Sequence, residues 1–363
     1  MSAAGFAPRG IAYVRHSPGA RKALVLALAV MLLAVAALAV TIGAAGIPLS
    51  RLAGAFGLAA GEGDAALVAR DRLVLWSIRL PRIAMAAIVG ALLAAAGAIM
   101  QGLFRNPLAD PALVGVSGGG ALAAACVIVL GDRLLAGSGI AASFWLLPLA
   151  AFGGSLAATM LLYRLATREN RTSIAVFLLG GLAIAALSNA AIGMLVFTAD
   201  DRQLRDMTFW MLGSVSGATW QTVMILSPFL IAMLLMVPGI GRGLDYLVLG
   251  ESEAFHMGIE VERLKRRAIV LISAMTGAAV AFAGIIGFVG IIVPHLLRLV
   301  IGPGHRLLLP ASAMLGASLL LGADTLARTM AAPAEIPIGI LTAIVGAPVF
   351  LSILLRQRGL TGL

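Results

Sequence analysis

The residues able to relay protons, hold a metal or grip a nucleotide are few in this 363-residue chain: sixteen Asp and Glu, four His, one Cys, and the lysines Lys22 and Lys265. The carboxylates all fall in polar stretches or near the ends of apolar runs, so none holds the mid-membrane position that a proton or ion relay needs. A Walker A loop requires a Gly-Lys pair, but the two lysines follow Arg21 and Leu264. Cys126 stands alone in an apolar run, which excludes an intrachain disulfide and offers no metal-ligand cluster. His16, His256, His295 and His305 are scattered, and only His295 lies within an apolar segment. No energy source is visible in the chain, so active transport would need a motor on another polypeptide. A passive channel stays open as a reading, without a repeated filter sequence or ring of like charge to favour it.

The elements that must position these residues belong in a bilayer. Hydrophobic residues make up 61% of the chain against 12% charged, and the mean hydropathy is +1.05, outside the soluble range. At about 20 residues per helix across a ~30 Å hydrocarbon core, roughly ten spans fit. That leaves no room for a sizeable soluble domain. The net charge of +10 sits in short clusters between apolar runs, which points to membrane topology rather than nucleic acid.

Charge-free runs predict an all-α, polytopic single domain with helices at about 23–47, 80–104, 112–131, 143–165, 173–198, 220–240, 268–284, 286–301, 307–328 and 336–356. The first run is too long for a signal-peptide core and reads as a span. Arg51 to Arg82 carries eight charges and must lie on the side opposite the N-terminus. The segment MTFWMLGSVSGATW from Met207 suits an interfacial turn. Residues 242–267 pack ten charges into 26 residues and read as the largest polar loop. The stretch 268–301 is too long for one helix and slightly short for two. Splitting it in two puts both termini on one side, together with 17 of the 26 basic residues, leaving 26 − 17 = 9 opposite. The positive-inside rule then makes that side cytoplasmic. AIVGA occurs at Ala87 and again at Ala343, each with a proline nine residues before its glycine, which reads as two helices entered through proline and packed through glycine.

From Arg79 the chain reads RLPRIAMAAIVGALLAAAGAIMQGLFRNPLADPALVGVSGGGALAA. The later blocks LVLGESEAFHMGIEVERLKRR, GFVGIIVPHLLRLVIGPGHRLLLP, ADTLAR and EIPIGILTAIVGAPVFLSILLR follow in order. Together they resemble the FecCD family, the permeases of binding-protein-dependent ABC importers for iron complexes and cobalamin, from about Arg79 to the C-terminus. The resemblance implies a cobalamin-permease-like type II importer fold of ten helices in the bacterial inner membrane, working as a homodimer. It also implies two cytoplasmic ATPases and one periplasmic binding protein. No cofactor is implied for this chain: ATP and Mg belong to the partner ATPase, and haem or another iron chelate is the transported substrate. The chain would be a transport subunit and not an enzyme.

The resemblance also implies residue roles. Arg79, Arg82 and Arg328 lie at the helix ends poorer in positive charge and would dock the binding protein through charge-assisted pairs; interfacial snorkelling is the plain alternative. Gly250, Glu251, Ala254, Met257 and Gly258 fall on a pair of short helices that would enter a groove of the ATPase, against the alternative of a merely solvated loop. Asn106 and Leu108 of NPLADP would close the inner gate with Thr172 and Ser173 as the second lip; a structural turn is the alternative for both.

The family leaves haem, siderophore and cobalamin open. The segments DDRQLRDMTFWMLGSVSGATW, LWSIRLPR and MQGLFRNPLADP are more similar to haem permeases. Arg171 could meet a haem propionate, though the positive-inside bias explains it as well. Met194, Met211 and His295 are set aside as iron ligands, because a conduit must release its cargo and methionine in apolar helices is usually packing. The alternatives are an ion-coupled secondary transporter or channel acting without a motor, and a membrane-embedded scaffold.

Overall fold

The computed structural model describes residues 17–43, 47–58, 64–111, 115–134, 144–169, 171–332 and 334–361. Among the described residues, seven helices are long and apolar enough to cross a membrane. They include α1 (Pro18–Thr41), after which two short helices follow, α2 (Leu49–Phe56) and α3 (Ala65–Leu73). A π-helical turn, Val74–Arg79, runs α3 directly into α4 (Leu80–Leu103), making one 39-residue helix. Then come α5 (Val116–Leu134), α6 (Leu146–Ala166), the two-residue strands β1 (Thr167–Arg168) and β2 (Arg171–Thr172), α7 (Ile174–Thr198) and α8 (Asp201–Leu212). The chain ends with α9 (Trp220–Leu247), α10 (Glu251–His256), α11 (Val261–Ala283), α12 (Val289–Ile301), α13 (His305–Met330) and α14 (Ile338–Thr361). The seven long spans are α1, α3–α4, α6, α7, α9, α11 and α13, and shorter apolar stretches lie in α5, α12 and α14.

Helix α4 is the centre of the bundle. In the continuous helix Ala65–Leu103 that contains it, 83% of the most apolar stretch is buried, against 11% in α1 and 17% in α7. Hydropathy does not distinguish them; small residues do. In lipid there is no hydrophobic force between helices, so close packing through small side chains decides who meets whom. A Cβ at Gly90 would run into the Gly316 carbonyl of α13, and one at Gly97 into the Gly290 carbonyl of α12. Gly346, in the second AIVGA, faces the Phe288 side chain in the same way. By contrast α7 turns Leu179, Leu182, Leu187, Met194 and Phe197 outward. Such a face costs nothing against lipid or a second apolar surface.

Several boundaries differ from the sequence expectation, each for a local reason. The stretch before residue 80 is helical from Ala65, because the π turn absorbs the change of register without breaking the backbone ladder. Residues 207–212 belong to α8, whose Asp200 forms a capping box with Gln203. The polar segment 242–267 is not one loop: α9 runs to Leu247, α10 occupies its middle and α11 starts at Val261, with Arg263, Arg266 and Arg267 exposed on its first turns. Between α11 and α12 the break is longer than expected. Gly284 has φ +68° and Phe288 also lies in the left-handed region at φ +68°, so α12 begins only at Val289.

Candidate transport machinery at the two ends of the bundle

At one end the three predicted arginines come together, but as a buried brace. Arg82 donates from Nε and Nη2 to Asp324 of α13 at 2.8–2.9 Å and from Nη1 to Glu335 at 2.8 Å. Arg328 lies one turn along α13 with Nε 3.8 Å from the second Asp324 oxygen. Arg328 also donates to the Ala39 carbonyl at 2.6 Å, while Arg79 donates to the carbonyls of Val40 and Thr41. Those three carbonyls are the last of α1, which have no partners within their own helix, so the guanidinium groups cap its C-terminus. The residues are 3%, 7% and 6% exposed for Arg79, Arg82 and Arg328. In this structure the three guanidinium groups find their acceptors within the chain.

At the opposite end lies the short helix α10, framed by two glycines that the backbone requires. Gly250 has φ +130° and a Cβ there would also strike the Glu253 carboxylate. Gly258 has φ +83° with open space around it, so conformation alone demands glycine. Its N–H bonds the Phe255 carbonyl while Ile259 bonds Ala254, a Schellman ending. Ala254 is fully buried and anchors the helix, whereas Phe255 and Met257 are 68% and 59% exposed. Glu251 turns to Lys265 of α11 at 2.8 Å.

NPLADP sits at this same end. Helix α4 stops in another Schellman turn, with Arg105 in the left-handed region and Asn106 N–H bonded to the Gln101 carbonyl at 3.2 Å. The Asn106 side chain then accepts from Leu108 N–H at 3.0 Å, turning the chain before Pro111. Thr172 and Ser173 end the β1–β2 hairpin, where Ser173 Oγ accepts from Val176 N–H and caps α7. The two predicted lips are joined through the ring contact of Phe104 and Phe177, centroids 5.9 Å apart.

Four partner residues escaped the sequence reading. Asp324 lies within the quoted ADTLAR block and Glu335 in EIPIG, but pairing with Arg82 spans some 250 positions and only the packed fold reveals it. Glu262 and Lys265 carry a local signal, the i, i+3 spacing of opposite charges on a helix. Among the described residues no group of three or more His, Cys, Asp or Glu is placed to hold a metal ion.

Known proteins resemble this chain along most of its length. It is 45% identical over 293 residues to the hemin transport system permease protein HmuU of Yersinia pestis, covering 78% of this chain and 84% of that protein. It is 42% identical to the cobalamin import system permease protein BtuC of Halobacterium salinarum, over 79% of this chain and 74% of that one. With the vitamin B12 import system permease protein BtuC of Klebsiella pneumoniae it shares 41%, over 81% and 86%. A solved structure, an inward-facing conformation of a metal-chelate type ABC transporter, superposes with a TM-score of 0.79 at 29% identity, covering 92% of this chain and 99% of that one. The architecture is thus the all-α, polytopic type II importer fold. With residues 28–356 matched to its profile, the chain belongs to the FecCD transport family.

Proposed function

We infer that this chain is the membrane-spanning permease subunit of an ABC importer of the haem, B12 or metal-chelate class, and that its cargo is haem, carried from periplasm to cytoplasm. The observation that carries the transport mechanism is α10: a helix anchored by Ala254 that displays Phe255 and Met257 among charges, outside the apolar spans. Apolar side chains shown to water in a charged segment mark a protein-docking surface. In this reading Gly250, Glu251, Ala254, Met257 and Gly258 form the contact with a partner ATPase, which supplies the ATP and Mg that this chain does not hold. Asn106, Leu108, Thr172 and Ser173 border the cytoplasmic gate.

All ten apolar segments cross the membrane in this reading, two copies pair around the pathway, and both termini face the cytoplasm of a bacterium's inner membrane. The excess of basic residues on the α10 end supports that orientation. The exposed apolar face of α7 supplies surface for lipid or the second copy. The Arg79, Arg82 and Arg328 cluster contributes to binding-protein docking by bracing the outer ends of α1, α4 and α13, with Glu335, 42% exposed, at the surface of the brace.

Haem is favoured by the higher identity to the hemin permease, 45% against 42% and 41% for the corrinoid permeases named above. The test is uptake by permease, ATPase and binding protein reconstituted in liposomes and offered haemin, cyanocobalamin or a ferric siderophore. Haemin uptake at least about tenfold above the others is expected from a site built for one cargo. Equal or faster corrinoid or siderophore uptake would replace haem as the cargo.

A further inference from the structure

Lys265 is 2% exposed, one of the most deeply placed charged groups in the chain. Its ammonium group meets three different elements. It donates to Glu251 Oε2 of α10 at 2.8 Å, to Glu262 Oε1 on its own helix α11 at 2.9 Å, and to the Thr172 carbonyl of β2 at 3.2 Å. Glu262 completes the arrangement, since its other oxygen accepts from the Thr172 N–H at 3.0 Å. Both polar groups of the Thr172 backbone are therefore gripped by one charge pair.

What lies beyond Thr172 makes the grip consequential. Thr172 stands opposite Thr167 in the hairpin register, and the two hydroxyls meet at 3.1 Å. Ser173 N–H bonds the Ala166 carbonyl at 2.9 Å, Ser173 Oγ caps α7, and Phe177 N–H bonds the Ser173 carbonyl at 3.0 Å. Thr172, Ser173 and the first turn of α7 are thus joined by a continuous run of hydrogen bonds to Ala166 and Thr167. A lysine suits such a junction. Its ammonium is a compact charge with three donors on a flexible stem, so it serves three acceptors at once and follows them when they shift.

We propose that Lys265 is the positioning residue through which displacement of α10 reaches the α6–α7 hairpin and so turns α7. This rests on the reading that α10 docks the ATPase. When α10 moves, Glu251 moves with it, and an ammonium that stayed behind would lose one of its two carboxylates away from water, so following Glu251 is favoured. Lys265 and Glu262 then carry Thr172 along, and α7 rotates as a rigid body from its N-terminal end, the kind of small shift that packed helices convert into a switch. Coupling between two sites needs such a contiguous element with two arrangements, and the distance between the hairpin and α10 reports it.

The experiment uses the complete complex of permease, ATPase and binding protein in liposomes, with Cys126→Ser as background. Spin labels go on the exposed positions Arg168 and His256. In the parent chain the distance between them should stay narrow and move as one population when ATP and vanadate are added. In Lys265→Met the distribution should broaden, cargo uptake should fall about tenfold, and ATP hydrolysis should stay within about twofold, because hydrolysis is seated in the partner. Glu262→Gln, at a one-third-exposed position where folding is not at risk, should give an intermediate loss of about threefold in uptake per ATP. An unchanged distribution in Lys265→Met, parallel loss of hydrolysis and uptake, or normal coupling in Glu262→Gln would each overturn the proposal. Phe255→Asp separates the underlying reading. It should release the ATPase from the permease, and an ATPase that stays bound would remove α10 as the docking element whatever Lys265 does.

Discussion

The two ionic clusters at opposite ends of the bundle use similar chemistry to different effect. At the arginine end both partners are buried: the side chains of Arg82 and Asp324 are 8% and 0% exposed, and the contact is multidentate. At the α10 end only the cation is buried. The Lys265 side chain is 3% exposed, while those of its partners Glu251 and Glu262 are 41% and 34% exposed. Opening the first cluster would leave charges with nothing to solvate them. Opening the second lets water take over the carboxylates. The contrast separates a fixture, which holds α1, α4 and α13 in one arrangement, from a half-exposed cluster that suits the joint proposed above.

The largest effect that would test this contrast is Asp324→Leu, which strips the shared carboxylate from Arg82 and Arg328. A loss of about 3–5 kcal/mol is expected, as for one partner removed from a buried pair. Thermal unfolding of the purified chain in detergent measures it, and Arg82→Met added to Asp324→Leu should recover part of the loss. A loss under about 1 kcal/mol would place the arginine end among ordinary surface pairs and erase the distinction. The smallest effects should come from Glu335→Gln, which removes the exposed carboxylate of the brace, and Arg263→Gln, which breaks an exposed pair with Glu260. Each should shift stability by about 0–1 kcal/mol in the same assay. A larger shift for Glu335 than for Asp324 would invert the picture of where the brace is anchored.

Much of this fold was legible from hydropathy and length, since in a bilayer a charge-free run of sufficient length has few options besides a helix. Helix ends were less so. Arg263, Arg266 and Arg267 lie on α11 although their charge suggested a loop, because long basic side chains at a membrane edge reach water from within a helix. The α11–α12 break was visible only as an awkward length; the left-handed backbone of Phe288, whose side chain lies against Gly346, has no local sequence signal. The glycines around α10 stood out because a short polar segment needs them for its turns. The arginines stood out too, but not their surroundings. Residue type and position announce a charge at a membrane edge, whereas the burial that makes it a brace depends on Asp324 arriving from a helix far along the chain. Thr172 was expected beside the gate through family resemblance, and its attachment to Lys265 is a tertiary contact with no sequence period.

The most direct measurement concerns where the energy enters. The permease alone in liposomes, and the permease joined by its ATPase and binding protein, should be compared for haemin uptake under a proton or sodium gradient and with ATP supplied to the ATPase side. Uptake only in the complete assembly and only with ATP is the expected result, given a chain with no Walker A loop and carboxylates confined to helix ends and polar segments. Gradient-driven uptake by the permease alone would contradict it.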